Sequence, residues 1–103
     1  MAKPLHHPRI EEIDLSAVLG ALSDPLRRSV VRQLNATKEM RCSSFNDMAA
    51  KSNLTYHYAK LREAGLTHTR IEGSCRYVSL RLDELEQRFP GLLKAVLASP
   101  ERE

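Results

Sequence analysis

Apolar residues recur at helical spacing through most of this chain and switch to alternation over one stretch near residue 70. From Ile10 onward, Ile13, Val18, Leu19 and Leu22, with Leu15 at the flank, share one side of a helix of roughly 10 residues that starts near Asp14 or Ser16. A second helix follows, with Asp24 as its N-cap and Pro25 in the first helical position, where no N–H donor is needed. Its apolar side is Leu26, Val30 and Leu34, with Val31 beside them, while Arg27, Arg28 and Arg32 point mostly outward as a solvated face or as phosphate clamps. Asn35 to Glu39 reads as a loop and Met40 to Ser43 as a very short strand. Ser43 or Ser44 then caps a third helix through Phe45, Met48 and Ala49 that ends near Ala50.

The most informative helix runs from Lys51 to Leu66, KSNLTYHYAKLREAGL. At about 100° per residue, Leu54, Tyr58 and Leu61 stack on one side, and Ser52, Thr55, Tyr56, Ala59 and Lys60 on the other. The outward stripe combines two hydroxyls, a phenol, a small alanine and a cation, groups that suit phosphates and base edges better than a merely solvated Glu/Lys face does. His57 lies at the border of the two faces, where a packing or backbone-phosphate role and base reading are equally open to it. Gly65 ends the helix in a left-handed turn and Leu66 folds back onto it. Beyond it THTRIEGSCRYVSLRL alternates and is rich in β-branched and aromatic residues, so it predicts a β-hairpin turning at Gly73-Ser74, with Arg70 and Arg76 flanking the tip. Asp83 with Glu86 forms a capping-box-like start for a short helix carrying Leu85 and Phe89. Pro90 and Gly91 break it, and Leu92, Leu93, Val96 and Leu97 continue in another before Pro100.

A helix, a tight turn of small residues, a helix and a hairpin make a winged helix-turn-helix, mostly α in the α+β class. With 103 residues there is room for one domain. The expected organisation is a flexible arm at 1–10 around Pro4 and Pro8, a DNA-binding and dimerisation domain at 11–99, and a tail at 100–103. The apolar residues of the first helix and the terminal segment exceed what so short a stretch should expose. Val18, Leu22, Leu85, Phe89, Leu92, Leu93, Val96 and Leu97 either complete the core or form an isologous seam, and the seam is the preferred reading.

A net charge of +3 is a weak argument for nucleic acid, but its distribution is sharper. Lys and Arg exceed Asp and Glu by one over residues 1–50 and by four over 51–81, and fall short by two over 82–103. The excess coincides with the outward-facing helix and the hairpin. No apolar leader and no run of about 18 uncharged apolar residues occurs, so a cytoplasmic protein without a membrane segment is expected. An enzyme is disfavoured, because the chain has no Gly-rich phosphate loop, no paired carboxylates on one face and no Cys or Ser with a placed His.

ALSDPLRRSVVRQL (21–34), FNDMA (45–49), NLTYHYAKLREAGL (53–66) and RIEGSCRYVSL (70–80) together resemble the ArsR/SmtB family of small homodimeric bacterial transcriptional regulators, over about Leu15 to Leu82. The resemblance implies a dimer built from the first and last helices that binds an inverted-repeat operator in double-stranded DNA and represses until an inducer arrives. It places Lys51, Ser52, Asn53, Thr55, Tyr56, His57 and Lys60 at or near DNA, with Arg70 and Arg76 in the wing. Many members of that family sense metals, and here this chain departs from them. The thiol pair those members carry on the third helix falls at Ser44 and Asn46, and no histidine lies between Asp83 and Glu103 to complete the zinc pattern of the terminal helix. No metal or other cofactor is therefore expected.

Cys42 and Cys75 stand 33 positions apart, in no metal-binding or disulfide-dense pattern. The plainest reading of Cys42 is a small half-buried filler, and of Cys75 a wing-strand residue. The alternatives are a thiol- or metal-responsive sensor built on Cys42 with His6 and His7 or with Cys75, and a winged-helix interaction module that does not bind DNA. A Cys42–Cys75 bridge needs the two residues close together, whereas Cys42 is expected ahead of the third helix and Cys75 by the wing tip.

Overall fold

In the computed structural model the described residues are 5–101, so residues 1–4 of the expected arm and 102–103 of the expected tail lie outside them. A 3₁₀ turn at Ile10–Glu12 precedes α1 (Leu15–Ala21) and α2 (Pro25–Thr37). Strand β1 (Glu39–Arg41) runs into a second 3₁₀ turn at Cys42–Phe45, and α3 (Lys51–Glu63) follows. The hairpin is β2 (Thr67–Glu72) and β3 (Cys75–Leu80), and the chain closes with α4 (Leu82–Arg88) and α5 (Leu92–Ala98). Helices and a wing hairpin in this order form a winged helix.

The caps expected for the first two helices are in place. Asp14 accepts the amide of Ala17, and Asp24 Oδ1 accepts those of Leu26 and Arg27 at 2.8 and 3.1 Å. Helix α2 outruns its expected end near Leu34 by three residues, and Lys38, at φ +75°, closes it, its amide donating to the Leu34 carbonyl at 2.8 Å. The expected third helix is absent. Its first turn is the 3₁₀ turn Cys42–Phe45, and the chain then turns through Asn46 and Asp47, residue types of low helix propensity. The Asp83–Glu86 capping box also does not form. Arg81 occupies the cap position and clamps Glu84, while Glu86 accepts the Gly91 amide at 2.8 Å.

The sheet has strand order β1-β3-β2, all antiparallel, with Arg41 opposite Tyr77 and Arg70 opposite Tyr77 on the other side. Strand β2 is therefore an edge, and the arm covers it. Residues 5–9 run without regular structure, His7 Nε2 accepts the Thr69 amide at 3.0 Å, and the His7 and His68 rings stack at 4.3 Å. Arg81 donates to the Pro8 carbonyl at 2.7 Å, which holds the same segment from the other side.

One core joins these elements. Ile13, Val18, Leu22, Val30, Val31, Leu34, Phe45, Leu54, Leu61, Leu66, Val78, Leu85 and Leu93 are all buried. Gly65 (φ +90°) ends α3 in a Schellman turn, its own amide reaching Arg62 and the Leu66 amide reaching Leu61. A side chain there would lie 2.6 Å from Ile13, so the glycine is needed both for its backbone angle and for the close approach of the first turn.

Candidate nucleic-acid interface

Leu54 and Leu61 anchor α3 in the core, and the half-buried Tyr58 adds a hydrogen bond from its hydroxyl to the Cys42 carbonyl at 2.7 Å. Burial of the phenol at that contact pushes the Tyr58 pKa up, so it stays a donor. The opposite stripe is open. Lys51, Ser52, Asn53, Thr55, Tyr56 and Lys60 are all exposed, and Tyr56 leaves 56% of its surface in water. The Thr55 hydroxyl donates back to the Lys51 carbonyl at 3.0 Å, leaving its oxygen free to accept. The Lys60 ammonium lies 5.5 Å from the Tyr56 ring, one helical turn away. No side chain caps the first turn of α3, so its leading amides are open as well.

His57 faces inward. Arg27 Nη1 donates to its Nδ1 at 2.9 Å, and since a guanidinium only donates, the ring proton of the neutral form belongs on Nε2. Arg27 itself is not the outward residue expected. It is only 8% exposed and also donates to the carbonyls of Ala21, at 2.6 Å, and Gly20, so it staples α1 and α3 to α2. Arg28 and Arg32 both pair with Glu101, at 2.8 and 2.6 Å, and this holds the Glu101 carboxyl down at about 2. Helical periodicity cannot reveal such partners, because they come from elements far away in sequence.

The two wing arginines differ. Arg70 is bonded by Glu39 at 3.1 Å and by Glu72, and its guanidinium lies 4.4 Å over the Tyr77 ring, so its charge is already compensated. Arg76, on β3, is exposed and has no ion pair among the described residues.

The eight apolar residues assigned to a seam divide. Val18, Leu22, Leu85 and Leu93 are buried in the chain's own core, because α1, α4 and α5 close over α2 and the sheet rather than standing apart from them. Phe89, Leu92, Val96 and Leu97 are half-buried against that core. On α1 the exposed large apolar side chains are Leu15 and Leu19, 46% and 47% exposed and one turn apart. Leu19 shares a shallow groove with Val96.

Both cysteines are free and half-buried, and both line one cavity between α3 and the sheet, closer neighbours than the sequence spacing implies. Arg41, opposite Tyr77 in the register of β1 with β3, donates from Nη2 to the Cys75 sulfur at 3.0 Å. Burial pushes the Cys42 thiol up from its ordinary pKa. His7 points elsewhere, onto β2. Among the described residues no group of three or more His, Cys, Asp and Glu side chains is placed to share one ion.

No protein-family profile matches the chain. It is 38% identical over 82 residues, 77% of this chain and 82% of the other, to an uncharacterized HTH-type transcriptional regulator, YceK, of Bacillus subtilis (strain 168).

Proposed function

On the premise that this chain belongs to the HTH-type transcriptional regulators, we propose that it is a homodimeric repressor of the ArsR type that lacks the standard metal sites. A regulator of this kind binds DNA, and the chain has no helix, among its described residues, long and apolar enough to cross a membrane. The observation that carries the proposal is the outward face of α3. Its six exposed residues, from Lys51 to Lys60, include two cations and no carboxylate, and they project from a helix fixed by buried leucines. Such a face fits the major groove, with the open first turn and Lys51, Ser52 and Asn53 toward phosphates and with Thr55, Tyr56 and Lys60 toward base edges. His57 supports this helix from behind. In the wing Arg76 meets the backbone of the adjoining groove, and Arg70 shapes the hairpin.

The dimer of this proposal pairs Leu15 and Leu19 of α1, with Leu92 and Val96 of α5, around a two-fold axis, so that two copies of α3 address an inverted repeat. The inducer would act by lowering affinity for that operator. Binding of Lys60→Ala and Tyr56→Ala to the upstream DNA tests the assignment. Each variant is expected to lose about 1–3 kcal/mol of operator affinity while its sedimentation and melting stay those of the parent. Parental affinity in both variants would refute the groove assignment.

A further inference from the structure

The arginines among the described residues fall into two groups. Arg9, Arg28, Arg32, Arg70 and Arg81 pair with carboxylates, and Arg27 and Arg88 donate to backbone carbonyls. Arg41, Arg62 and Arg76 have neither kind of partner among the described residues, and all three line the same cavity of about 530 Å³ between α3 and the sheet. Lys51 joins them at its wall, and no Asp or Glu does. Arginines placed without counter-charge in one partly enclosed space repel each other and hold a positive potential that only an anion relieves.

Two further observations point into that space. The Arg62 Nε is shielded from solvent with no hydrogen-bond partner, and so is the hydroxyl of Thr69, a residue only 7% exposed. Such groups are costly unless something pairs with them. Leu5, Leu54, Tyr58 and Ala59 give the wall an apolar part, and Ser43, Asn46 and Ser74 give it neutral polar groups. The volume lies within the range of small-molecule sites. We propose that this cavity is an effector site for a small organic acid, its carboxylate held by Arg62 with Arg41 and Arg76 and its apolar body against Leu54 and Tyr58. A duplex backbone fits it poorly, because Arg62 and Thr69 lie behind α3 rather than on its outward face.

The site would regulate DNA binding directly, and this part rests on the function proposed above. Lys51, Thr55 and Arg76 belong both to the cavity wall and to the face assigned to DNA. A bound carboxylate neutralises charge there and competes for the same donors, so acid and operator weaken each other's binding by the same factor.

The test is calorimetric titration of the full chain with benzoate, phenylacetate and 2-naphthoate, each beside its neutral amide, and then the same acids on Arg62→Gln, Thr69→Val and Arg76→Gln. At least one acid is expected to saturate one site per chain, about ten-fold or more tighter than its amide. Arg62→Gln and the exposed Arg76→Gln should each weaken it about ten-fold with melting unchanged for Arg76→Gln. Acids that bind no better than amides, or that bind these two variants as well as the parent, overturn the proposal. So does a loss confined to DNA affinity, which would make the cavity a seat for a backbone phosphate. Acid binding by a protein that binds no DNA would leave the cavity assignment standing and remove the regulator reading. Selective DNA binding without acid binding would do the reverse.

Discussion

His7 shows how much one side chain outside the regular elements can carry. Its Nε2 accepts the Thr69 amide on the edge strand, so protonation of the ring breaks that bond. Burial, then the neighbouring His68, Arg62 and Arg81, lowers its pKa from the ordinary 6.5. A lowered histidine pKa means that the unfolded chain takes up protons first. The contribution of His7 is therefore complete above pH 6.5 and declines as pH falls below it, until the folded protein is protonated as well. The melting-temperature difference between the parent and His7→Gln should shrink as pH is lowered from about 7 to about 5. A difference that does not vary with pH would contradict the bond. Arg27 makes the complementary point, because a helical wheel marks it as outward, yet its donors are matched to carbonyls of α1 and to His57 and it is buried.

At the scale of elements, the local signals were the readable ones. Asp24-Pro25 starts α2, Gly65 ends α3, Gly73-Ser74 turns the hairpin and Pro90-Gly91 separates α4 from α5, each through backbone chemistry that acts within a few residues. Phe45, Met48 and Ala49 keep the spacing of a third helix, yet the low helix propensity of Asn46 and Asp47 and the packing of Phe45 into the core leave the segment as a single turn. The exposed face of α3 was legible from its periodicity. The difference between Arg70 and Arg76 was not, since Glu39 lies 31 residues from Arg70 and reaches it only because β1 joins the sheet. That difference has a consequence for the wing. Arg76→Ala should weaken DNA binding and reduce the salt dependence by about one phosphate contact per chain, whereas Arg70→Ala should change the salt slope little. Equal slopes for the two variants, in titrations over a range of salt, would remove the distinction.

For the whole molecule, the core takes up half of the apolar residues that sequence alone assigned to a seam. Burial of Val18, Leu22, Leu85 and Leu93 leaves Leu15 and Leu19 as the open apolar pair of α1, and the dimer proposed here rests on them. Leu19→Glu, at a position outside the buried core of the single chain, should convert the protein to a monomer in sedimentation with its helix content kept, and its melting should lose the dependence on protein concentration that a dimer shows. A dimer that persists would move the seam elsewhere. The cavity with its unpaired arginines was equally invisible in sequence, since the arginines, the threonine and the apolar wall come from β1, α3, β2 and β3.

The central claim is that α3 and the wing of a dimer read one DNA site, and a titration of the parent protein on inverted repeats from its own upstream region, against scrambled DNA and over a salt series, tests it most directly. With Lys51 and Arg76 of both copies meeting phosphates, the logarithm of affinity should fall with the logarithm of salt at a slope of about −4. The upstream site should be preferred over scrambled DNA by about 10³-fold or more. Equal binding to both, or no binding at low salt, would contradict the account and leave an interaction module in its place.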